Sequence, residues 1–451
     1  MEYLALLLFL GILIVLLTGF PVAFVLGGMA TLVGVIALGP EFFSFLPSRI
    51  MGVMSNYVLM AVPLFIFMGI TLQRSGIAEE LLVSMSRIFS RFKGGMAISV
   101  IVVGALMAAS TGIVGATVVT MGTISLPIML KYGYSPRLAA GVVASSGTLG
   151  QIIPPSIVLV LLGSVFNISV GDLFKAAVVP GIILVFFYLI YTLVISQFFS
   201  VSTRFDASSS GEYNQLPKKK VDSIDNKVWI ALFVPLLLIL AVLGSIFSGI
   251  ASPTEAAALG AAGSIIIAMM RGRLSWEILN GIAKETTQMT SMVFFILLGA
   301  TTFTLVFRGL DGDIFLIDYF TEGGFTPWGF LVIVMAVVFV AGFFIDFIEI
   351  IFIIVPVILP ILKAFSPEDF SPALHTMPQL LLWVAILLAL NLQTSFLTPP
   401  FGFSLFYLKG VAPPEVKTVD IYKGIIPFIL IQMALVVFIM LNPEVITFIV
   451  N

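Results

Sequence analysis

The chain has 451 residues, 60% of them hydrophobic and 10% charged, with a net charge of −2 and a mean hydropathy of +1.19. That charge content is less than half the roughly 25% of a soluble domain, which excludes a soluble globular protein. With no cysteine there are no disulfides, thiolate metal sites or thiol nucleophiles, and no composition signal points to nucleic acid. The single histidine, His375, lies in a Pro-flanked loop (Ser371 to Pro378) and reads as a surface side chain, not a catalytic one.

The first apolar stretch follows Met1-Glu2-Tyr3 with no basic region and no small-residue cleavage site, so it reads as a retained helix and not a signal peptide. Residues 77–92 set an apolar face against a charged one, as a helix lying at the headgroups does. A hydrophobic segment at about 96–130 is interrupted midway by Ala108-Ala109-Ser110-Thr111-Gly112. It reads as a re-entrant helical hairpin whose tip stops inside the membrane. A helix follows over about 139–163, broken by Pro154-Pro155, because proline removes a backbone donor and clashes with the preceding turn. Ile182–Phe199 is long enough to cross about 30 Å of hydrocarbon.

Ser200–Lys227, with its serine cluster and Lys218-Lys219-Lys220, reads as a flexible linker. Beyond it, Val228–Phe247 is another spanning run. Ser252, Pro253 and Glu255 have the spacing of a helix-starting capping box. A second interfacial segment falls at about 310–322, and a second hairpin at about 328–364, interrupted around Ala341–Asp346. Asp346 and Glu349 stand three apart, on one face of a helix, in an otherwise apolar run. An acid inside a membrane is expensive, so a functional role is the first expectation. A second broken helix, about 379–408, carries Pro399-Pro400, and Ile425–Leu441 is the last long span.

Orientation follows from the basic residues. Placing 200–227 in the cytoplasm and alternating the spans puts 17 of the 21 lysines and arginines inside. Only Arg49, Lys175, Arg308 and Lys363 fall outside, in accord with the positive-inside rule. Both termini then lie on the periplasmic side.

The two parts of the chain also match in order. Pro127 in L-P-I-M-L-K and Pro360 in L-P-I-L-K are 233 apart, as are Gly76 and Gly309. Pro21 and Pro253 are 232 apart, and the proline pairs 245. The reading is an all-α polytopic membrane protein of two inverted-topology repeats, 1–199 and 228–451, joined by a cytoplasmic linker, 200–227. Each repeat holds one hairpin and one broken helix.

Tips and breaks expose backbone groups that no helix satisfies. Half-helix N-termini suit a carboxylate, and C-terminal carbonyls are hard oxygen ligands suited to Na⁺. The candidate binding residues are therefore Ser110, Thr111 and Gly112 with Thr148, Gly150 and Gln151, and Asp346 and Glu349 with Gln393, Thr394, Ser395 and Thr398. Na⁺ is assigned to Ser110, Asp346 and backbone carbonyls near Gly150 and Ser395. Gly104, Gly115 and Gly122 read as packing positions. An intramembrane enzyme would have only Asp346 and Glu349 as an acid pair, and carboxylates on one segment match such a pair poorly.

The ordered set A-A-S-T-G-I-V-G-A-T (108–117), L-P-I-M-L-K-Y-G-Y (126–134), G-T-L-G-Q-I-I-P-P-S (147–156), S-P-T-E-A-A-A (252–258), A-G-F-F-I-D (341–346), P-V-I-L-P (356–360) and L-T-P-P-F-G (397–402) resembles the large membrane subunit of tripartite ATP-independent periplasmic (TRAP) transporters over essentially the whole chain. The resemblance implies a secondary transporter of the bacterial inner membrane, driven by a Na⁺ gradient. It also implies an elevator mechanism in which hairpins and broken helices move against scaffold helices. Two partners follow: a small four-helix membrane subunit, expected as a separate chain, and a periplasmic binding protein that delivers an organic anion. The family's usual D-P-x-A-type segment is D-F-I-E here (Asp346 to Glu349), resembling a subgroup associated with 2-oxo acids and similar monocarboxylates. The alternative from the same physics is a stand-alone ion-coupled anion carrier.

Overall fold

A computed structural model of the chain describes residues 2–89, 93–112, 114–198, 226–400 and 402–450. Most of the predicted linker lies outside the described residues, as do the side chains of Ser110 and Thr111. Twenty α-helices and no strand are found among the described residues. The first ten are α1 (Glu2–Leu16), α2 (Val22–Leu38), α3 (Leu46–Met54), α4 (Ala61–Arg74), α5 (Ile77–Ile88), α6 (Gly95–Thr111), α7 (Val114–Lys131), α8 (Pro136–Thr148), α9 (Ile157–Phe166) and α10 (Val170–Phe198). Then come α11 (Asn226–Phe247), α12 (Pro253–Met270), α13 (Trp276–Gly309), α14 (Gly312–Thr321), α15 (Pro327–Ala341), α16 (Phe347–Ala364), α17 (Met377–Leu397), α18 (Phe403–Val411), α19 (Thr418–Leu441) and α20 (Glu444–Val450). Among the described residues eight helices are long and apolar enough to cross a membrane, and the protein is an all-α polytopic membrane protein.

Helix starts follow local chemistry. Ser135 caps α8 by accepting from the Leu138 N–H, with Pro136 in the first turn. At α12, Ser252 accepts from the Glu255 N–H while the Glu255 carboxylate accepts from the Ser252 N–H, completing the capping box. The two segments expected at the interface are helices too, as α5 and α14.

Helix order recurs along the chain. In each part a short helix (α5, α14) precedes a two-helix hairpin (α6–α7, α15–α16), then a broken helix (α8–α9, α17–α18), then one long helix (α10, α19). Packing crosses between the parts: α2 lies on α13 and α12 on α4, while α7 lies on α18 and α16 on α9. The helix α17 is buried along its whole spanning window and forms the centre of the molecule. Large apolar side chains point outward at the periphery instead, with Ile36 85% and Phe186 57% exposed, as lipid-facing surfaces require.

Close helix approach depends on glycine. A Cβ on Gly141 of α8 would run into the Gly424 carbonyl of α19, and one on Gly424 into the Arg137 carbonyl. Backbones therefore touch where α8 and α19 cross, the arrangement that small residues permit when lipid is the competing solvent. Gly141→Ala should lower stability by about 1–3 kcal/mol through this overpacking. A melting curve in detergent checks it against Gly244→Ala, where a Cβ meets open space and little change is expected.

Candidate functional site

Each hairpin tip and each helix break ends one helix and starts another, so the chain contains four interior helix N-termini: α7, α9, α16 and α18. All four reach one cavity of about 410 Å³. Hairpin α6–α7 contributes Val114 and Gly115, and hairpin α15–α16 contributes Asp346, Phe347 and Ile348. The breaks contribute Ile157, Phe396 and Phe403, and the opposite wall is Gln73 of α4 and Glu285 of α13. Partial positive charge at four helix starts, together with the first-turn N–H groups that no cap takes up, makes the cavity suited to an anion.

The two breaks are held alike. Ser156, just past Pro154-Pro155, donates to the Gln151 carbonyl at 2.8 Å, and Ser404, shortly past Pro399-Pro400, donates to the Phe396 carbonyl at 2.6 Å. Each hydroxyl thus bridges the gap that the prolines open. The hairpins seat against these breaks through glycine. A Cβ on Gly150 would stand 2.8 Å from the Ala108 carbonyl of α6, and one on Gly342, at the end of α15, would overlap the Ser395 hydroxyl. Gly112 caps α6 at φ +60° and touches the first turn of α9, where an added Cβ would meet Ile157 at 3.0 Å. An L side chain rarely adopts that φ.

The sequence-predicted residues therefore form two clusters behind the cavity. Thr148, Gly150 and Gln151 lie against hairpin α6–α7, and Gln393, Thr394, Ser395 and Thr398 with hairpin α15–α16. Their hydroxyls donate to their own helices: Thr148 to the Ser145 carbonyl at 2.9 Å, Ser395 to Leu392 at 2.9 Å and Thr398 to Thr394 at 2.7 Å. The hydroxyl oxygens keep lone pairs for a cation. Gln151 and Gln393 are fully buried, and neither side-chain amide has a partner among the described residues. A buried amide left so costs free energy, and a bound polar species is one way to offset it. Gly104, Gly115 and Gly122 press against Ser146, Tyr407 and Val411, which is packing. Gly115 also lines the cavity.

Asp346 and Glu349 do not share a helical face. Asp346 precedes α16 as its N-cap, with extended backbone (φ −69°, ψ 156°), and its Oδ1 accepts from the Phe347 N–H at 2.8 Å. Glu349 folds back so that its carboxylate accepts from the Asp346 N–H at 3.2 Å. The pair is a capping box that starts the inner arm of the hairpin. Glu349 thus has a structural role, while Asp346 does two things at once: it caps and it faces the cavity.

Sequence reasoning missed Gln73, Glu285 and Tyr407. Gln73 donates to the Thr120 hydroxyl of α7 at 2.7 Å, tying α4 to the hairpin. Glu285 pairs with Arg74 at 2.8 Å. Both belong to helices that read as plain spans, and only the polar Gln73-Arg74 end of α4 hints at them.

Two hairpins, two broken helices and a shared interior cavity are the architecture of a solute transporter of the membrane. The fold agrees with a solved transporter from Alcanivorax borkumensis, YdaH: TM-score 0.61, 13% identity, covering 97% of this chain and 98% of that one. That likeness concerns the fold alone. The family described as tripartite ATP-independent periplasmic transporter, DctM component, matches residues 9–445, and the chain belongs to it. A large permease for C4-dicarboxylates from Pseudomonas aeruginosa is 28% identical over 85% of this chain and 84% of its own. An ectoine large permease from Halomonas elongata is 29% identical over 86% and 85%. The protein is thus the large membrane subunit of such a transporter, multi-pass in the bacterial inner membrane, and it works with a small membrane subunit and a periplasmic binding protein.

Because Asp346 is a cap, Asp346→Ala should destabilise the protein by about 0.5–2 kcal/mol, whereas Asp346→Asn, an equally good cap, should melt within a few tenths of wild type. Equal losses in both variants would show that the charge, not the cap, holds the hairpin.

Proposed function

We propose that the chain uses a Na⁺ gradient to import a small organic carboxylate, of the 2-oxo acid or monocarboxylate class, that the binding protein delivers. The observation that carries the reading is the meeting of four helix N-termini in one cavity. They supply N–H donors and positive dipole ends to a carboxylate, and no lysine or arginine among the described residues lines the cavity. Na⁺ is assigned to the C-terminal carbonyls and hydroxyls behind the cavity, around Gly150 with Ser110 and around Ser395, and Asp346 contributes the negative charge. The substrate class rests on the D-F-I-E segment, and the relatives' printed substrates, C4-dicarboxylates and ectoine, set its breadth.

In this reading the repeats, 1–199 and 228–451, have opposite orientation, both termini are periplasmic, and 200–227 is cytoplasmic. The hairpins and broken helices move as an elevator against α1–α4 and α11–α13. Few polar contacts would have to break, and the Gln73–Thr120 hydrogen bond is one of them.

Uptake of radiolabelled pyruvate and succinate into proteoliposomes tests coupling and partners together. Uptake should require the Na⁺ gradient, the small subunit and the binding protein. Robust uptake by this chain alone would overturn the tripartite reading in favour of a stand-alone carrier. Asp346→Asn and Ser110→Ala should each cut Na⁺-dependent uptake by roughly tenfold, the effect of about 1.4 kcal/mol, at normal expression. The elevator has its own test, since the chain has no cysteine. A disulfide between Gln73→Cys and Thr120→Cys should arrest uptake, and reduction should restore it. Full activity in the oxidised pair would mean that hairpin and α4 do not separate.

A further inference from the structure

A second cavity, of about 450 Å³, lies apart from the first. It is lined by two arginines, Arg49 of α3 and Arg308 of α13, and by no carboxylate. Arg308 reaches Asp313 at 3.8 Å, a loose pair, while Arg49 has no acidic partner among the described residues. Neutral donors stand beside them. Asn56 donates to the Ser164 hydroxyl at 3.0 Å, which leaves the Ser164 hydrogen free to donate in turn. Thr304, one turn below Arg308, and Thr301, two turns below, complete the polar wall, their hydroxyls donating to the Ala300 and Leu297 carbonyls.

The two cavities lie along the same three helices. Helix α13 gives Val293 to the first and Leu297 to the second, about 6 Å further along at 1.5 Å per residue. On α9 the order is Ile157, then Ser164; on α16 it is Ile348, then Phe352. Three helices from both parts of the chain thus line both chambers in the same sequence, separated by about one turn of α13 and α16 and about two turns of α9. The arginines at the far end are two of the only four basic residues that the charge distribution places outside the cytoplasm.

We propose that this second cavity is an outer vestibule that binds the substrate carboxylate between its release by the binding protein and its arrival at the helix N-termini. Two guanidinium groups in a cleft without carboxylates concentrate small anions, and Arg suits a carboxylate through its planar fork of donors. The Ser164 hydroxyl and the second Asn56 amide hydrogen give the anion further donors once it is held. The inference rests on the transport reading for its direction, but the anion site itself does not depend on it.

The test uses the assembled complex in phosphatidylcholine proteoliposomes, which removes anionic lipid headgroups as an alternative occupant. A single Gly52→Cys is placed on the cavity wall, where an added side chain meets open space. Its labelling by anionic (sulfonate) and cationic (trimethylammonium) methanethiosulfonates is timed. The anionic-to-cationic rate ratio should fall about tenfold when Arg49→Gln is added, stay high with Arg49→Lys, and millimolar pyruvate should slow labelling. A ratio indifferent to Arg49→Gln overturns the vestibule. So does protection by the substrate-free binding protein with none by pyruvate, which would make the cavity a protein contact. Silence of both Gly52→Cys and Thr304→Cys overturns it too, since the cavity would then be closed to solution. Uptake measured on the same vesicles separates the two readings. Uptake with no charge preference removes the vestibule alone; charge preference without uptake in any gradient removes the transport reading and leaves the anion site.

Discussion

The fold turns on one constraint: a backbone N–H or carbonyl left unpaired in hydrocarbon costs several kcal/mol. Two hairpin tips and two proline breaks interrupt helices inside the bundle, and each interruption frees such groups. They can be tolerated only where they face protein or a cavity. The molecule meets that requirement by bringing all four to one place, with α17 buried through its whole span at the centre and apolar side chains turned outward elsewhere. Ser156 and Ser404 answer part of the deficit within each break. What remains unpaired is what a charged solute and an ion can use.

Convergence requires close approach, and that explains where glycine falls. Gly112, Gly150 and Gly342 sit where a hairpin tip meets a broken helix, and each position would reject or strain a larger residue. Polar ties from the hairpins and α9 to the outer helices are sparse by comparison. Gln73 to Thr120 and Asn56 to Ser164 are single hydrogen bonds, each worth about 0.5–1.5 kcal/mol. Tight glycine seams inside the hairpin group and few polar ties at its border are the distribution the proposed elevator would need.

Much of this was legible in the sequence, for identifiable reasons. A small-residue run, Ala108–Gly112, located the first tip, the Ala341–Asp346 interruption located the second, and proline pairs located both breaks, because backbone chemistry at those points is local. The capping box at Ser252 and Glu255 was legible in the same way, since Ser, Pro and Glu occupy fixed offsets. The equivalent box at Asp346 and Glu349 was misread as two acids on one helix face. An acid at membrane depth draws a functional explanation first, and the apolar residues around it hide the helix start. The cavity wall was not legible. Gln73, Glu285 and Tyr407 come from three helices far apart in the chain, and no spacing rule connects them to Asp346, which the sequence did single out.

The two chambers along α13 differ in charge although the helix order around them recurs. The outer one carries Arg49 and Arg308, and the inner one carries Asp346 with the Arg74–Glu285 pair at its edge. An anion drawn in by the arginines therefore ends beside a carboxylate. At about 5 Å and an effective dielectric near 20, two unit negative charges repel by roughly 3 kcal/mol, enough to weaken binding about a hundredfold. Helix N-termini offset part of that repulsion. A cation bound to the carbonyls and hydroxyls behind the cavity would offset more of it, and it would bind better with the anion present. A carboxylate on the wall of an anion site thus makes the affinities for anion and cation depend on each other, and that mutual dependence is the physical content of coupled transport.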